Sequence, residues 1–470
     1  MAGARKLYKY FLGDKYMGIT ASFDLIVVGG GTGGLRAAYK SALAGYKTAL
    51  VDPGVLGGTC LNMGCIPTKA MLHASGLFDK SKRLKEFGIR IGKPRVNFKS
   101  LMKRVLGIVG SGQRHVEESV KTKNLEVIRE KAKFVGPQAI KAGEREFFGK
   151  KIIIATGSRS RKLEVKGSEE ISCMDVAEVL KLKKLPKSIA IVGAGYIAME
   201  FATFFNQLGV DVTVIESEKR VLPFVDSEIS GEVFEEYEKK GVRFRLRSEV
   251  VELGNRGRLK GLVVKDSSGK KSKIFVDEIL VAIGRVPNTE NLDLKRGGVE
   301  TDSVGAIRVN DFLQTTNKNI YAIGDVIGRA PFAHAARAEA LIALENSMMK
   351  GKKKMDFSKV GWSVFTSPPV SGVGMGEAEL KKKKIKYGAL RARFSQAGRT
   401  TVIGETTGLL KVFYNKRTEK ILGAVIFGAR ADELIHEFVT LLHFGGTVKK
   451  MREIIHVHPT VSEVISACRD

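Results

Sequence analysis

Two closely spaced cysteines are the residues of this sequence best suited to chemistry. Cys60 and Cys65 lie in the stretch Gly57–Lys69 with four residues between them, and the 470-residue chain holds four cysteines in all. In an undistorted helix their Cα atoms would lie about 7.5 Å apart along the axis, beyond the roughly 6.8 Å that a disulfide spans at most. A bridge therefore needs a bent backbone, which Gly64 permits. Because a strained bridge is easily reduced, the stretch favours redox chemistry; two ordinary thiols at a helix start are the alternative.

A glycine-rich turn precedes the cysteines. The apolar run Phe23 to Val28 is predicted to be a buried strand, and the sequence G-x-G-x-x-G follows it. Gly29 allows a tight turn, Gly31 a close approach to a pyrophosphate, and Gly34 close contact between helix and strand. Asp52 ends the next strand, 23 residues after the first glycine, and can accept hydrogen bonds from a ribose. The pattern predicts a dinucleotide site.

The same pattern of strand, turn, helix and second strand repeats after residue 188. Its turn residues are Gly193, Gly195 and Ala198. Glu216 ends the second strand, again 23 residues after the first glycine of the turn. Two matched units imply two dinucleotide sites. A carboxylate at this place would repel the 2′-phosphate of NADP, so we expect NAD, although Lys219 and Arg220 lie close by in the sequence.

Two later strands also end in glycine turns. The strand that ends at Gly284 is predicted to close the second unit, and the strand that ends at Gly324 is predicted to return to the first. Asp325 could bind a polyol hydroxyl of a cofactor, or cap the turn after it. From Val360 onward the pattern of strands and helices changes, which predicts a third, α+β domain.

The C-terminal sequence contains a candidate base. Pro459 holds His458 in an extended conformation, outside the next helix. Glu463 fits a capping box with Thr460, and it could also orient and polarise His458 as a general base. The two roles are compatible.

The composition limits the partners. The formal charge is +29, but the lysines are scattered and accompany no recognisable nucleic-acid motif, so we interpret them as solvated surface. No stretch has the roughly twenty apolar residues of a membrane-spanning helix. The few cysteines indicate a reducing compartment, and we expect the cytoplasm. Residues 1–21, basic and aromatic, are predicted to be an N-terminal extension.

These motifs together resemble the class I flavoprotein disulfide reductases from Phe23 to the C-terminus. The resemblance implies an α/β fold class, with two Rossmann-like dinucleotide-binding domains for FAD and NAD, a C-terminal α+β dimerisation domain, and a homodimer. The predicted segments are an extension at 1–21, an FAD-binding domain at 22–157 and 286–350, an NAD-binding domain at 158–285, and a dimerisation domain at 351–470.

Within this family the residues around the cysteines, and the doubled histidines around Val457, resemble those of dihydrolipoamide dehydrogenases. That resemblance implies oxidation of protein-bound dihydrolipoamide with NAD, with a lipoyl-bearing carrier protein as partner. Cys60 would exchange with the substrate, and Cys65 would face the flavin as a thiolate.

The resemblance also assigns the other site residues, and it implies no metal site. His458 would be the base, contributed by the other subunit and supported by Glu463, and Lys69 would pair with Glu200 near the flavin. The implied cofactor-binding residues are Gly29, Gly31, Gly34, Asp52, Thr59, Thr156, Gly157, Asp325, Ala333, Gly193, Gly195, Ala198, Glu200, Glu216 and Gly284.

One departure from that pattern leaves the substrate open. The chain has Thr366-Ser367-Pro368-Pro369 where dihydrolipoamide dehydrogenases usually have Thr-His-Pro-Glu, and the paired prolines resemble glutathione reductase. The alternatives are an NAD(P)H-dependent reductase of another small disulfide, a mercuric-reductase-like enzyme, and a basic flavoprotein that binds nucleic acid. The second is disfavoured because Cys468 stands alone near the C-terminus, without a vicinal pair.

Overall fold

A computed structural model of the chain describes residues 19–349 and 351–469. Most of the predicted N-terminal extension, residues 1–18, lies outside the described residues. The first strand begins at Ile19 rather than Phe23, so the last three residues of the predicted extension belong to that strand. Thr20 and Ser22 interrupt the apolar character there, which explains why the apolar run indicated a later start.

The strands are numbered in chain order. They are β1 (Ile19–Val28), β2 (Thr48–Val51), β3 (Leu125–Ile128), β4 (Ala132–Gly136), β5 (Ala139–Ala142), β6 (Arg145–Ile154), β7 (Ser158–Ser160), β8 (Ser188–Val192), β9 (Asp211–Ile215), β10 (Arg243–Arg245), β11 (Ser248–Arg256), β12 (Leu259–Asp266), β13 (Lys271–Val276), β14 (Glu278–Val281), β15 (Arg285–Pro287), β16 (Ile320–Ala322), β17 (Trp362–Val364), β18 (Val370–Gly374), β19 (Tyr387–Arg393), β20 (Gly408–Asn415) and β21 (Ile421–Gly428).

The α-helices are numbered in the same way. They are α1 (Thr32–Leu43), α2 (Gly58–Asn62), α3 (Cys65–Lys82), α4 (Phe98–Ser119), α5 (Val176–Val179), α6 (Tyr196–Gln207), α7 (Ser227–Lys239), α8 (Ala333–Met348), α9 (Glu377–Lys382), α10 (Gly398–Val402), α11 (Ala431–His443), α12 (Val448–Arg452) and α13 (Glu463–Ser466). Short 3-10 turns occupy Leu84–Phe87, Gly324–Ile327, Phe357–Lys359 and Phe394–Gln396.

Among the described residues, the first of two compact units comprises the chain up to Ile66, Ile108–Arg159 and Arg285–Asp356. Its main sheet has the strand order β3-β2-β1-β6-β5-β4, and β16 also pairs with β6. Strands β3, β2, β1, β6 and β16 run parallel, and Leu25–Val28 at the centre is buried, as its continuous apolar run predicts. The chain therefore returns to its first sheet through β16.

The second unit comprises Pro67–Gly107, Ser160–Gly284 and the chain from Phe357 onward. It holds a parallel sheet of order β10-β9-β8-β14 and an antiparallel sheet β11-β12-β13. A further antiparallel sheet has the order β17-β18-β21-β20-β19, and α11 packs against its strands β18 and β21. This last group is the predicted α+β part.

The two parallel sheets and the C-terminal α+β part confirm the predicted fold class. The individual domain boundaries stay a prediction. Among the described helices, none combines the length and the apolar character needed to cross a membrane.

Candidate active site

The helical segment that carries the two cysteines is broken between them. Helix α2 ends at Asn62 and α3 begins at Cys65, so Met63 and Gly64 lie between the two helices. A Cβ added at Gly64 would lie 2.9 Å from the carbonyl oxygen of Thr59 and 3.2 Å from its Cγ2. The bend predicted from the cysteine spacing is therefore present, and glycine fits at its tightest point. Both cysteine side chains are half-buried.

The cysteine segment is attached to the first nucleotide turn. The Gly57 N–H donates a hydrogen bond of 2.9 Å to the Gly30 carbonyl. Gly58 has a φ of +58°, and a Cβ there would lie 2.7 Å from the Cα of Gly31. Because only glycine allows both the positive φ and the close approach, the segment after Gly57 lies directly against the turn.

The first nucleotide turn uses its glycines in different ways. A Cβ on Gly29, whose φ is +109°, would lie 2.3 Å from the Ala155 carbonyl oxygen. A Cβ on Gly34 would lie 1.9 Å from the Gly29 carbonyl oxygen, whereas a Cβ on Gly31 would meet nothing within 4 Å apart from its chain neighbours. Gly31 also caps the N-terminus of α1. This open position at a helix N-terminus fits the pyrophosphate of FAD.

Asp52 closes this turn. Its Oδ2 accepts a hydrogen bond from the Gly30 N–H at 2.5 Å, and its Oδ1 accepts one from the Gly54 N–H at 2.7 Å. Each carboxylate oxygen retains a lone pair, so the half-buried side chain can still accept from a ribose hydroxyl. The sequence suggested only the ribose contact.

The second nucleotide turn repeats this geometry. A Cβ on Gly193 would lie 2.5 Å from the Ala282 carbonyl oxygen, and a Cβ on Gly195 would again meet nothing within 4 Å. The Glu216 Oε2 accepts a hydrogen bond from the Ala194 N–H at 2.6 Å, and its Oε1 accepts one from the Glu218 N–H at 2.8 Å. Ala198 is fully buried on α6. The arrangement fits a second dinucleotide.

Asp325 belongs to a cluster of polar side chains whose other members, Ser158 and Arg285, the sequence did not indicate. The Ser158 hydroxyl donates to the Asp325 Oδ2 at 2.6 Å, and the Arg285 Nε donates to that hydroxyl at 2.7 Å. Asp325 lies inside the 3-10 turn Gly324–Ile327, whose N-cap is Ile323, so the capping role considered for Asp325 is wrong. Asp325 and Arg285 are each 127 residues or more from Ser158 in the sequence. Local spacing could therefore not reveal these contacts.

Asn288 fastens the turn after β6. The Thr156 hydroxyl donates to the Asn288 carbonyl at 2.8 Å, and the Asn288 side chain donates to the Thr156 carbonyl at 2.9 Å. The Asn288 N–H also donates to the Gly157 carbonyl. Two predicted cofactor residues are therefore held by a third residue that the sequence did not indicate.

The remaining predicted residues lie at element ends. Thr59 is exposed on α2, Ala333 is the first residue of α8, and Gly284 has a φ of +111° with open space around a Cβ. The exposure of Thr59 and the open space at Gly284 leave room for a ligand.

Glu339 on α8 is a buried acid that the sequence did not indicate. Its Oε2 accepts a hydrogen bond from the Gly324 N–H at 2.5 Å, and its Oε1 is buried with no hydrogen-bond partner among the described residues. Burial raises the pKa of Glu339 to about 7, and the neighbouring Asp325 also raises it, whereas the Gly324 N–H and Arg329 lower it. The turn that holds Asp325 is thus fixed by a carboxyl that titrates near neutrality.

Lys69 and Glu200 form the pair that the family resemblance implied. The Lys69 Nζ lies 2.8 Å from both carboxylate oxygens of Glu200, which is almost fully buried. The Phe365 N–H donates to the same carboxylate at 3.1 Å, and the Lys69 Nζ lies 4.5 Å from the centre of the Phe365 ring. The carboxylate is thus satisfied by a cation and an amide.

His458 and Glu463 form a second pair. The His458 Nδ1 lies 2.9 Å from the Glu463 Oε1, and the Thr460 N–H donates to the Glu463 Oε2 at 2.9 Å. The hydrogen bond from His458 and that from Thr460 lower the pKa of Glu463. The predicted capping box is half wrong, because the Thr460 hydroxyl donates to the Val457 carbonyl and α13 begins only at Glu463.

The other two cysteines are buried to different degrees. Burial raises the pKa of the half-buried Cys173 thiol, and it raises that of the buried Cys468 thiol to about 12. Thiols of this kind are poor nucleophiles near neutral pH, so neither is a candidate for the sulfur chemistry.

Comparisons with known proteins place these features in a family. Residues 23–340 match the family described as pyridine nucleotide-disulphide oxidoreductase, and residues 360–468 match its dimerisation domain. Dihydrolipoyl dehydrogenase from Thermus scotoductus is 36% identical, with 94% of this chain and 95% of that protein covered. Mitochondrial dihydrolipoyl dehydrogenase from Pisum sativum is 35% identical, with 94% and 90% covered.

Similarity to solved structures supports the same family. The Cu(II) complex of RclA, an HOCl-induced flavoprotein disulfide reductase from Escherichia coli, superposes with a TM-score of 0.84 at 27% identity, covering 94% of this chain and 99% of that one. The matched dimerisation domain supports a homodimer. The chain therefore belongs to the pyridine nucleotide-disulphide oxidoreductases, enzymes that use FAD and NAD(H).

Proposed function

We propose that this enzyme oxidises protein-bound dihydrolipoamide with NAD through a Cys60–Cys65 disulfide. The bent cysteine segment, attached to the first nucleotide turn through Gly57 and Gly58, is the observation that carries the proposal. The similarity to dihydrolipoyl dehydrogenases over 94% of the chain supports the choice of substrate.

The sulfur chemistry proceeds by exchange. A thiolate of dihydrolipoamide attacks Cys60 of the disulfide, so that a mixed disulfide forms and Cys65 leaves as a thiolate. The second substrate sulfur then attacks the mixed disulfide and releases oxidised lipoamide, which leaves two electrons on the protein as a dithiol. FAD, when bound, supplies the chemistry that passes this electron pair to NAD.

We assign the proton transfer to His458. Because Glu463 holds the Nδ1 side of the ring, the Nε2 side is left to exchange a proton with a substrate sulfur. The His458 side chain is 78% exposed in one chain, and the nearby Ile455 and Val457 are also exposed. An exposed base beside apolar residues suits a base presented to the other subunit of the homodimer.

We propose NAD as the acceptor because Glu216 occupies the ribose end of the second turn. Its carboxylate is almost fully buried and would repel a 2′-phosphate. Arg220, one of the two nearby cations that argue for NADP, donates instead to the Pro223 carbonyl at 2.8 Å. A cytoplasmic location and a lipoyl-bearing carrier as partner belong to the same proposal.

A second candidate is NAD(P)H-dependent reduction of another small disulfide. The paired prolines Pro368-Pro369 and the similarity to the E. coli flavoprotein disulfide reductase favour it. This candidate uses the same cysteines, but it differs in the disulfide substrate, in the direction of electron transfer and in the nucleotide that it accepts.

Turnover by the purified, FAD-loaded protein separates the two candidates. We expect faster reaction with dihydrolipoamide and NAD than with glutathione disulfide and NADPH. Cys60→Ser should lose at least about 1,000-fold in rate, because Cys65 alone cannot form the disulfide that the substrate thiolate attacks. Cys173→Ser, which removes a thiol outside the redox stretch, should retain the parental rate. Undetectable lipoamide turnover by flavin-loaded protein would exclude the first candidate. Salt-sensitive nucleic-acid binding that Cys60→Ser leaves unchanged would instead support a binding protein.

A further inference from the structure

Helix α4 touches the chain between the two cysteines. A Cβ added at Gly112 of this helix would lie 2.5 Å from the Leu61 Cδ1. Leu61 follows Cys60 directly, so the helix approaches the redox segment as closely as a glycine allows. The atoms of the segment that lie nearest to Gly112 belong to the Leu61 side chain and not to the backbone.

The next residue of each element forms a hydrogen bond. The Gln113 Nε2 on α4 donates to the Asn62 Oδ1 at 2.8 Å. The Asn62 Nδ2 donates in turn to the carbonyls of Val55 and Leu56, at 3.0 and 3.2 Å. Because carbonyls can only accept, the orientation of the Asn62 amide is fixed, and the amide of Gln113 must be the donor to it.

A third attachment links α4 to the start of the same loop. The Arg129 guanidinium donates to the Glu117 carboxylate at 2.7 Å and to the Gly54 carbonyl at 3.0 Å. Glu117 lies one turn after Gln113 on α4. The loop that leads to the cysteines is therefore held at both of its ends by one helix.

We propose that Gln113 and Asn62 are positioning residues of the redox pair, which hold the bent backbone between the cysteines and so favour the disulfide over the dithiol. The inference rests on the proposed redox role of Cys60 and Cys65. The proposed reaction assigns neither residue a contact with substrate or cofactor.

The bend determines in which direction the clamp shifts the equilibrium between disulfide and dithiol. The disulfide requires the bent backbone, whereas the dithiol does not. While the clamp between Gln113 and Asn62 holds, the dithiol keeps the same backbone and gains little conformational freedom on reduction. Without the clamp the reduced segment relaxes, so reduction of the disulfide, which takes up two electrons and two protons, becomes more favourable.

The test replaces Gln113 in the full-length, FAD-loaded protein. Gln113→Met keeps the length of the side chain and removes the donor, and Gln113→Glu places an acceptor opposite the Asn62 Oδ1. Gln138→Met is the matched control, because Gln138 donates to the Gly149 and Lys150 carbonyls in the same unit. Thermal unfolding and FAD content identify any variant that fails to fold.

Thiol trapping measures the redox equilibrium directly. Each protein is equilibrated in buffers of stepped reduced-to-oxidised dithiothreitol ratio, quenched in acid and alkylated, and the peptide with Cys60 and Cys65 is quantified by mass. We expect Gln113→Met to shift the equilibrium about threefold to tenfold toward the dithiol, and Gln113→Glu at least as far. A tenfold shift corresponds to about 30 mV for this two-electron couple. The control should stay within about twofold of the parent.

The outcomes separate this inference from the proposed function. If both Gln113 variants stay within about twofold of a parent that titrates, the positioning role is wrong and the redox role stands. If the parent peptide does not change between oxidising and reducing buffers, the pair is not redox-active and both proposals fail. Lipoamide is not required for either result.

Discussion

The two nucleotide turns of this chain share one frame and differ in the residues that lie against it. In the first, the Gly29 N–H donates to the Val51 carbonyl at 2.8 Å; in the second, the Gly193 N–H donates to the Ile215 carbonyl at 2.7 Å. Asp52 closes the first turn and Glu216 the second, through hydrogen bonds of 2.5 and 2.6 Å to the residue after that glycine.

The two turns differ in the later residue that donates a hydrogen bond back to each of them. The Gly57 N–H donates to the Gly30 carbonyl at 2.9 Å, and the Leu222 N–H donates to the Ala194 carbonyl at 2.8 Å. Both donors have a positive φ, +105° and +45°. Gly57 opens the cysteine segment, whereas Leu222 is a buried apolar residue. The same turn thus contacts the proposed redox segment in one unit and a buried apolar residue in the other, because the segment after the acid differs between the two units.

The largest expected effect tests whether the two turns are interchangeable. In Gly34→Ala the new methyl group would lie 1.9 Å from the Gly29 carbonyl oxygen, whereas the matched position of the second turn already holds a buried alanine, Ala198. We expect Gly34→Ala to lower the free energy of unfolding by about 3 kcal/mol and to lose bound FAD. Urea unfolding and the FAD absorbance per chain measure both.

The reverse replacement in the second turn is the control. Ala198→Gly should cost about 2 kcal/mol, because it adds a glycine to a helix and removes a buried methyl group. Full FAD content and parental stability in Gly34→Ala would show that the two turns do not differ at this position.

Glu339, in the first unit, should make the free energy of unfolding depend on pH. Its pKa in the folded protein is about 7, above the ordinary 4.5, so the folded state binds more protons between these values. The stability that goes with the protonated carboxyl is present below about pH 4.5 and is lost as the pH rises through 7. A shift of this size corresponds to about 3 kcal/mol of unfolding free energy.

Glu339→Gln removes this titration. Relative to the parent, the variant should therefore gain stability between pH 4.5 and 7.5 by up to about 3 kcal/mol. Urea unfolding of both proteins across this range measures the gain. A difference between the two proteins that does not vary with pH would contradict the buried titration.

The sequence predicted the features that depend on local spacing and missed those that depend on distant partners. The glycine turns and the bend near Gly64 follow from the space that a few consecutive residues require. The bonds of Arg285 to Ser158 and of Gln113 to Asn62 could not be predicted, because 127 and 51 residues separate the partners. The Lys69–Glu200 pair, 131 residues apart, came from the family resemblance and not from spacing.

Glu463 shows why a correct motif can still mislead. The spacing from Thr460 to Glu463 fits a capping box, but the helix begins three residues after Thr460, and the threonine hydroxyl bonds to the Val457 carbonyl. The carboxylate accepts from the Thr460 N–H, as a capping box requires, and it also lies within hydrogen-bond distance of the His458 ring. Where a helix is one turn long, its first residue depends on packing more than on the capping residues.

The smallest of the expected effects concerns the feature that separates the first turn from the second, the bend between the cysteines. In Gly64→Ala the new Cβ would lie 2.9 Å from the Thr59 carbonyl oxygen, so the bend must open by a few tenths of an ångström. We expect turnover to fall about tenfold, which corresponds to about 1.4 kcal/mol, while FAD content stays unchanged. Gly76→Ala on α3 is the matched control, since a Cβ there meets nothing within 4 Å and alanine favours a helix. If Gly64→Ala turned over at the parental rate, the bend would not be needed for the proposed sulfur exchange. The bend would then not explain a chemical difference between the two turns.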